Sequence, residues 1–185
     1  LADESASAVV MDVHSGDILT LASTPGFDPQ GFNIGLTQQA WKDLTSDPRN
    51  PLLNKAIAGQ YPPGSTFKMI VAMAALDAGV ISQDQKVFCK GHVELGNQRF
   101  HCWKRTGHGN MSMVNAIEQS CDVYFYDIAK RVGIDRITET ARKFGLGSAT
   151  GIEIPAESKG LMPTRAWKLA RTGEAWQQGE TLVAG

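Results

Sequence analysis

The chain has 185 residues, 42% hydrophobic and 20% charged, an ordinary globular composition long enough to bury one sizeable core. Eighteen Lys and Arg against nineteen Asp and Glu leave a formal charge of -1 and no run of like charge, which argues against nucleic acid or an anionic membrane face as a partner. The longest apolar stretch, Met69 to Leu76, is broken by Asp77 and Gly79 and falls well short of the roughly 20 residues a membrane-spanning helix needs.

The opening Leu1-Ala2-Asp3-Glu4 carries no leader pattern, so any address or anchor is expected outside this segment. Ala8 to Val13 and Ile18 to Ala22, joined through His14-Ser15-Gly16-Asp17, predict a β-hairpin with the glycine supplying positive φ. Ser23 to about Gly64 is rich in Pro, Gly, Asp and Asn, with a helical pattern only near Gln38 to Leu44, and reads as a long irregular connection. Ser65 to Gly79 follows Pro-Pro-Gly, is apolar on nearly every face and stops at Gly79; it predicts a buried helix with Ser65 at its N-terminal end. Residues 80 to 119 are polar and weakly periodic, so something other than a large apolar core must order them. A second helix is predicted from Ser120 to Gly133, a third from Asp135 to Phe144, and a helical pattern recurs around Thr164 to Leu169.

Ser65 and Lys68 lie one turn apart on one helix face, within reach of a hydrogen bond. Apolar neighbours would disfavour the charged amine and let it act as a base toward the hydroxyl. The plainer reading makes Ser65 a helix cap and Lys68 a first-turn surface residue. Against it, this helix has almost no polar face, and a charge there needs a reason. Ser120-Cys121-Asp122 supplies a second hydroxyl and a carboxylate at the start of another helix.

Tyr61-Pro-Pro-Gly-Ser65-Thr-Phe-Lys68 followed by Ser120-x-Asp122 resembles the first two of three motifs of the penicillin-binding proteins and serine β-lactamases. The hairpin exit Ser23-Thr-Pro-Gly-Phe-Asp-Pro29, Gly107-His108-Gly109, Phe144-Gly-Leu-Gly147, Thr150-Gly-Ile-Glu-Ile-Pro155 and Met162-Pro-Thr-Arg-Ala-Trp-Lys168 extend the likeness over essentially the whole chain. They resemble the transpeptidase domain of the penicillin-binding protein 2 family, the class B enzymes of cell elongation, as does Asp rather than Asn at 122. The resemblance implies an α+β transpeptidase-like fold, a helical subdomain (about 65 to 150) plus an antiparallel sheet whose C-terminal strands are absent from this chain. It also implies Ser65 as acylated nucleophile, Lys68 as general base, Ser120 as proton relay to the leaving amine, and Asp122 as partner of Lys68 or of the substrate amide. The Ser65 backbone N–H would form half of an oxyanion hole. The third motif, Lys-Thr/Ser-Gly, is not found; Arg171-Thr172-Gly173 has a similar composition but follows a helical pattern.

Cys89, Cys102, His108 and Cys121 use every Cys in the chain, within the stretch that lacks an apolar core. Three thiolates and an imidazole would make a closed tetrahedral zinc site, with His101 and His92 as reserve ligands. A Cys89–Cys102 disulfide, Cys121 as a small core residue and His108 as a packing residue remain open alternatives. The resemblance favours the metal, since relatives look to carry metal-binding side chains in the same insertion. It further implies a serine D,D-transpeptidase at the periplasmic face of the inner membrane, with peptidoglycan stem peptides as substrates and no organic cofactor. β-Lactams would be covalent inhibitors, a glycan-polymerising membrane protein a partner, and nucleic acid no partner. A β-lactamase, a β-lactam sensor and a catalytically silent fragment are the alternatives.

Overall fold

A computed structural model describes residues 4–183; Leu1 to Asp3, Ala184 and Gly185 lie outside the described residues. The chain divides into two compact units, residues 1–61 with 151–158, and residues 62–150 with 159–185.

The first unit opens with the antiparallel ribbon of β1 (Ala6–Met11) and β2 (Ile18–Thr24), in register Ala6↔Thr24 to Val10↔Thr20 with an irregularity before Met11↔Ile18. Asp12 closes the turn by accepting from the His14 and Ser15 backbone N–H groups at 2.8 and 2.9 Å, and Gly16 takes φ 80°. The connection predicted as irregular holds three short helices: α1 (Gln30–Ile34), α2 (Gln38–Ser46) and α3 (Lys55–Ala58). Thr37 and Asn54 supply the N-cap oxygens of α2 and α3, a signal too local for a periodicity reading to find. α3 lies beside both strands, and the Ser23 hydroxyl ties it there by donating to Leu53 O and accepting from the Lys55 N–H.

The second unit starts with a 3₁₀ turn, Gly64–Phe67, running into α4 (Lys68–Asp77). Two ribbons follow, β3 (Val87–Cys89) with β6 (Gly109–Met111) around β4 (His92–Leu95) with β5 (Gln98–His101). Then come α5 (Met113–Glu118), α6 (Asp122–Val132), α7 (Ile134–Lys143), α8 (Arg165–Thr172) and α9 (Gln178–Leu182). α4 is buried on one face rather than all round: Val71, Ala72, Ala74 and Ala75 are covered, while Met69 and Met73 reach the surface. Its alanines let α6 and α7 approach closely, and Tyr124, Phe125, Ile128 and Ile137 fill the core against them. Asp122 in the first turn of α6 and Lys130 and Arg131 in its last turn complement the helix dipole. The polar stretch from 80 to 119 is thus not coreless, since Cys89, Cys102, Met111, Met113 and Ala116 join the same cluster. Among the described residues no helix is long and apolar enough to cross a membrane.

Candidate functional site

The 3₁₀ turn before α4 leaves the Ser65 side chain exposed, while Lys68, three residues on, retains only 7% of its side-chain exposure. The residue before the turn, Pro63, makes no side-chain cap, and the Ser65 hydroxyl instead accepts a 2.9 Å hydrogen bond from Ser120 Oγ. Lys68 Nζ donates to Ser120 O at 3.1 Å, to Ser120 Oγ at 3.1 Å and to Asp122 Oδ1 at 2.5 Å, which uses the three protons of an ammonium. The Phe125 ring lies 5.6 Å from Nζ. The direct Ser65–Lys68 hydrogen bond expected from one-turn spacing is therefore replaced by a chain running Ser65–Ser120–Lys68. The ammonium is drawn toward a carboxylate and a carbonyl that the sequence spacing does not reveal.

Ser120 can bridge because of its backbone. α5 ends in the paired hydrogen bonds Cys121 N–H to Ala116 O (2.9 Å) and Ser120 N–H to Ile117 O (3.2 Å), which put Ser120 at the left-handed position after the helix, φ 50°. Glycine is the usual occupant there, and a serine carries a conformational cost of about 1–2 kcal/mol. That turn sends both its hydroxyl and its carbonyl to Lys68 and starts α6 two residues later, at Asp122 rather than at Ser120. Trp103, which the sequence reading passed over, donates its backbone N–H to Asp122 Oδ2 at 2.8 Å and its indole Nε1–H to Gln119 O at 3.0 Å.

A cleft of about 470 Å³ opens beside this group, lined by Gly64, Ser65, Lys68, Asp122, Phe100 and Tyr126. A larger one of about 690 Å³ lies along α7 and α8, among Asp135, Glu139, Arg142 and Arg165, and holds none of the clustered hydroxyl, amine and carboxylate groups. Arg171 and Thr172 end α8, with Gly173 as its left-handed cap at φ 73°, so this tripeptide is a helix terminus and not a strand.

Cys89, Cys102, His108 and Cys121 come together with their donor atoms all within 4.8 Å of one another. The three thiols are free, so Cys89 and Cys102 form no disulfide here. His108 Nδ1 lies 3.6 Å from Cys89 Sγ and 3.5 Å from Cys102 Sγ. Burial and the nearby Lys104 lower the His108 pKa, which favours the neutral imidazole a metal binds; burial pushes the Cys121 thiol up to about 12. His92 and His101 are not in the group; they face each other across β4 and β5, ring centroids 6.0 Å apart, with His92 Nε2 3.4 Å from Glu94. Cys121 is the residue between Ser120 and Asp122, so the cluster and the hydroxyl–amine chain share one turn of backbone.

The family model for the penicillin binding protein transpeptidase domain matches residues 6–181. The peptidoglycan D,D-transpeptidase MrdA of Escherichia coli is 42% identical over the whole chain, which spans 30% of that relative's length. Among solved structures, Pseudomonas aeruginosa PBP2 in complex with WCK 5153 superposes with a TM-score of 0.92 at 38% identity, covering 98% of this chain and 42% of that one. A chain from a peptidoglycan synthase complex, described as coordinating polymerization and crosslinking, gives 0.84 at 37% identity over 97% of this chain and 31% of that one. With helices and antiparallel ribbons in the expected mixture and a likeness running from one end to the other, the chain belongs to the penicillin-binding protein transpeptidase domain family.

Proposed function

We propose that this chain is the hairpin and helical part of a penicillin-sensitive serine D,D-transpeptidase that cross-links peptidoglycan stem peptides during cell elongation. The observation that carries this reading is the continuous hydrogen-bonded path from the exposed Ser65 hydroxyl through Ser120 Oγ to the buried Lys68 amine. In that role Lys68 first gives one ammonium proton to solvent, and the two hydroxyls reverse the resting direction of their hydrogen bonds so that Ser65 donates to Ser120 Oγ and Ser120 to Lys68 Nζ. Ser65 Oγ then attacks the carbonyl of the penultimate D-Ala while its proton passes to Ser120 Oγ and the Ser120 proton to the neutral Lys68 Nζ. When the tetrahedral intermediate collapses, Lys68 returns a proton through Ser120 to the departing D-Ala nitrogen, leaving the acyl group as an ester on Ser65. The amine of a neighbouring stem peptide then attacks the ester by the reverse proton path. Asp122, paired with Lys68, fixes the amine against Ser120 and offsets its charge in the resting state. A β-lactam would enter the same cycle and stay as the Ser65 ester.

Cys89, Cys102, His108 and Cys121 we read as a structural zinc site. Zinc–sulfur and zinc–nitrogen bonds of about 2.3 and 2.05 Å in tetrahedral geometry set sulfur and nitrogen about 3.5–3.6 Å apart, which is the spacing of His108 Nδ1 from its two nearest thiols. The bound ion would supply cross-linking of the 89–121 segment and no open coordination position for chemistry. We place the protein at the periplasmic face of the inner membrane beside a glycan-polymerising partner; the likeness to a chain of a peptidoglycan synthase complex that coordinates polymerization and crosslinking supports the partner. The test is release of D-Ala from a pentapeptide donor by the intact protein: wild type releases it, Ser65→Ala and Lys68→Met do not. Equal release by wild type and Ser65→Ala would contradict the assignment.

A further inference from the structure

Ser120 occupies a strained position, and the hydroxyl path depends on its staying there. Two groups on either side of it are held by one residue: Trp103 grips the carbonyl of Gln119 with its indole N–H and the carboxylate of Asp122 with its backbone N–H. Gln119 O ends α5, where helix carbonyls have no partner within the helix, and Asp122 Oδ2 is the oxygen that Lys68 leaves unused. Trp103 follows Cys102 directly, and its ring packs edge-on against His108 at 5.3 Å, so it is itself anchored by the thiol–imidazole cluster. Trp103 as a whole residue is nonetheless 63% exposed, which does not suit a residue kept for core volume.

We propose that Trp103 is a positioning residue for the proton path: it clamps the Gln119–Asp122 turn from both sides and keeps Ser120 Oγ between Ser65 and Lys68. It touches none of the reacting atoms and acts through Ser120 and Asp122. The inference rests on the acyl-serine reading above. Without the indole clamp, Gln119 O turns to water, the turn samples other conformations, and the fraction of molecules with an intact Ser65–Ser120–Lys68 path falls. The substrate cleft is left in place.

The test separates binding from acylation in the intact, metal-loaded protein with a chromogenic cephalosporin, under single-turnover conditions. Two variants are compared with wild type: Trp103→Phe, and replacement of Trp103 by 3-benzothienylalanine, which keeps the ring and removes only the N–H. Melting temperature and bound zinc report the folded, loaded fraction. The expected result, per loaded molecule, is an acylation rate constant about fivefold lower in both variants, from loss of one hydrogen bond to a positioned group. The dissociation constant of the complex before acylation stays within twofold. An acylation rate constant within twofold of wild type in the isostere, or a loss accounted for by unloaded protein, overturns the role of Trp103 while leaving the acyl-serine reading intact. Failure of wild type itself to acylate overturns both.

Discussion

Substituting Gly107 by Ala should damage the proposed zinc site with all four of its donor residues in place. Gly107 has φ 82° and precedes His108; a Cβ added there would lie 2.8 Å from the carbonyl carbon of Lys90 and well inside contact distance of the Cys89 carbonyl oxygen. These are backbone atoms that cannot swing aside, so the His108 and Cys89 segments must part by more than about 0.5 Å. Metal–ligand distances tolerate about 0.2 Å. Gly109→Ala is the control, because its φ is a similar 74° and nothing lies within 4 Å of the added carbon. Both substitutions carry the left-handed strain of about 1–2 kcal/mol. Gly107→Ala should add a 10–100-fold loss of zinc affinity, of the size seen when groups supporting a metal's ligands are disturbed, or a further 1.4–2.7 kcal/mol or so with zinc in excess. The assay is zinc transfer to a chromogenic chelator, alongside thermal melts with and without added zinc. Equal zinc affinity in the two variants would refute the reasoning, because it would mean that the close backbone approach does not set the donor geometry.

Four further outcomes are expected. Ser120→Gly should melt at or slightly above the wild-type temperature, since glycine suits φ 50°, yet acylate at least tenfold more slowly for want of the bridging hydroxyl; a variant that is both less stable and fully active would contradict the assigned turn. Asp122→Ala leaves Lys68 as a buried unpaired charge and should cost about 3 kcal/mol by urea unfolding, whereas Lys68→Met strands only Asp122, which is 21% exposed, keeps the Trp103 N–H and sits in the first turn of α6, and should cost less. The Glu180 carboxyl is held below its usual pKa by the Lys168 ammonium and then by the Gln177 N–H, so its contribution is complete above the unfolded carboxyl pKa and is lost as pH falls through the lowered folded value. The gap in urea midpoint between wild type and Glu180→Gln should therefore shrink on going from pH 7 toward pH 3. If the proposed zinc site is filled, chelation should lower both the melting temperature and the acylation rate, and re-addition of zinc should restore them together; unchanged acylation by a metal-free, folded protein would contradict the coupling of the cluster to Ser120 through Cys121.

What could be read from the residues alone was whatever depends on local pattern. The hairpin announced itself through two apolar runs around Ser15-Gly16, and α4, α6, α7 and α8 through spacing and terminal glycines. Ser65, Lys68, Ser120 and Asp122 stood out as motif residues, and the four clustered thiol and imidazole groups as the complete cysteine set with a histidine among them. Three things were hidden because they are set by backbone geometry at long range. Strands of three residues such as β3 and β6 are too short to show alternation, and they are aligned only by pairing from Val87↔Met111 to Cys89↔Gly109, across the whole β4–β5 ribbon. The relay order Ser65–Ser120–Lys68 depends on the positive φ of Ser120, which no side-chain pattern reports. Trp103 acts partly through a main-chain N–H, a donor every residue but proline possesses, so its identity gave no signal.

The central claim is that Ser65 is an acyl-accepting nucleophile served by Ser120 and Lys68. The most direct measurement is intact-mass spectrometry of the whole protein with and without a penicillin, followed by peptide mapping of the adduct. The account predicts a single added penicilloyl mass on the peptide containing Ser65, absent in Ser65→Ala and strongly slowed in Ser120→Gly. An adduct on any other residue, or none on wild-type protein that is folded and zinc-loaded, would contradict it.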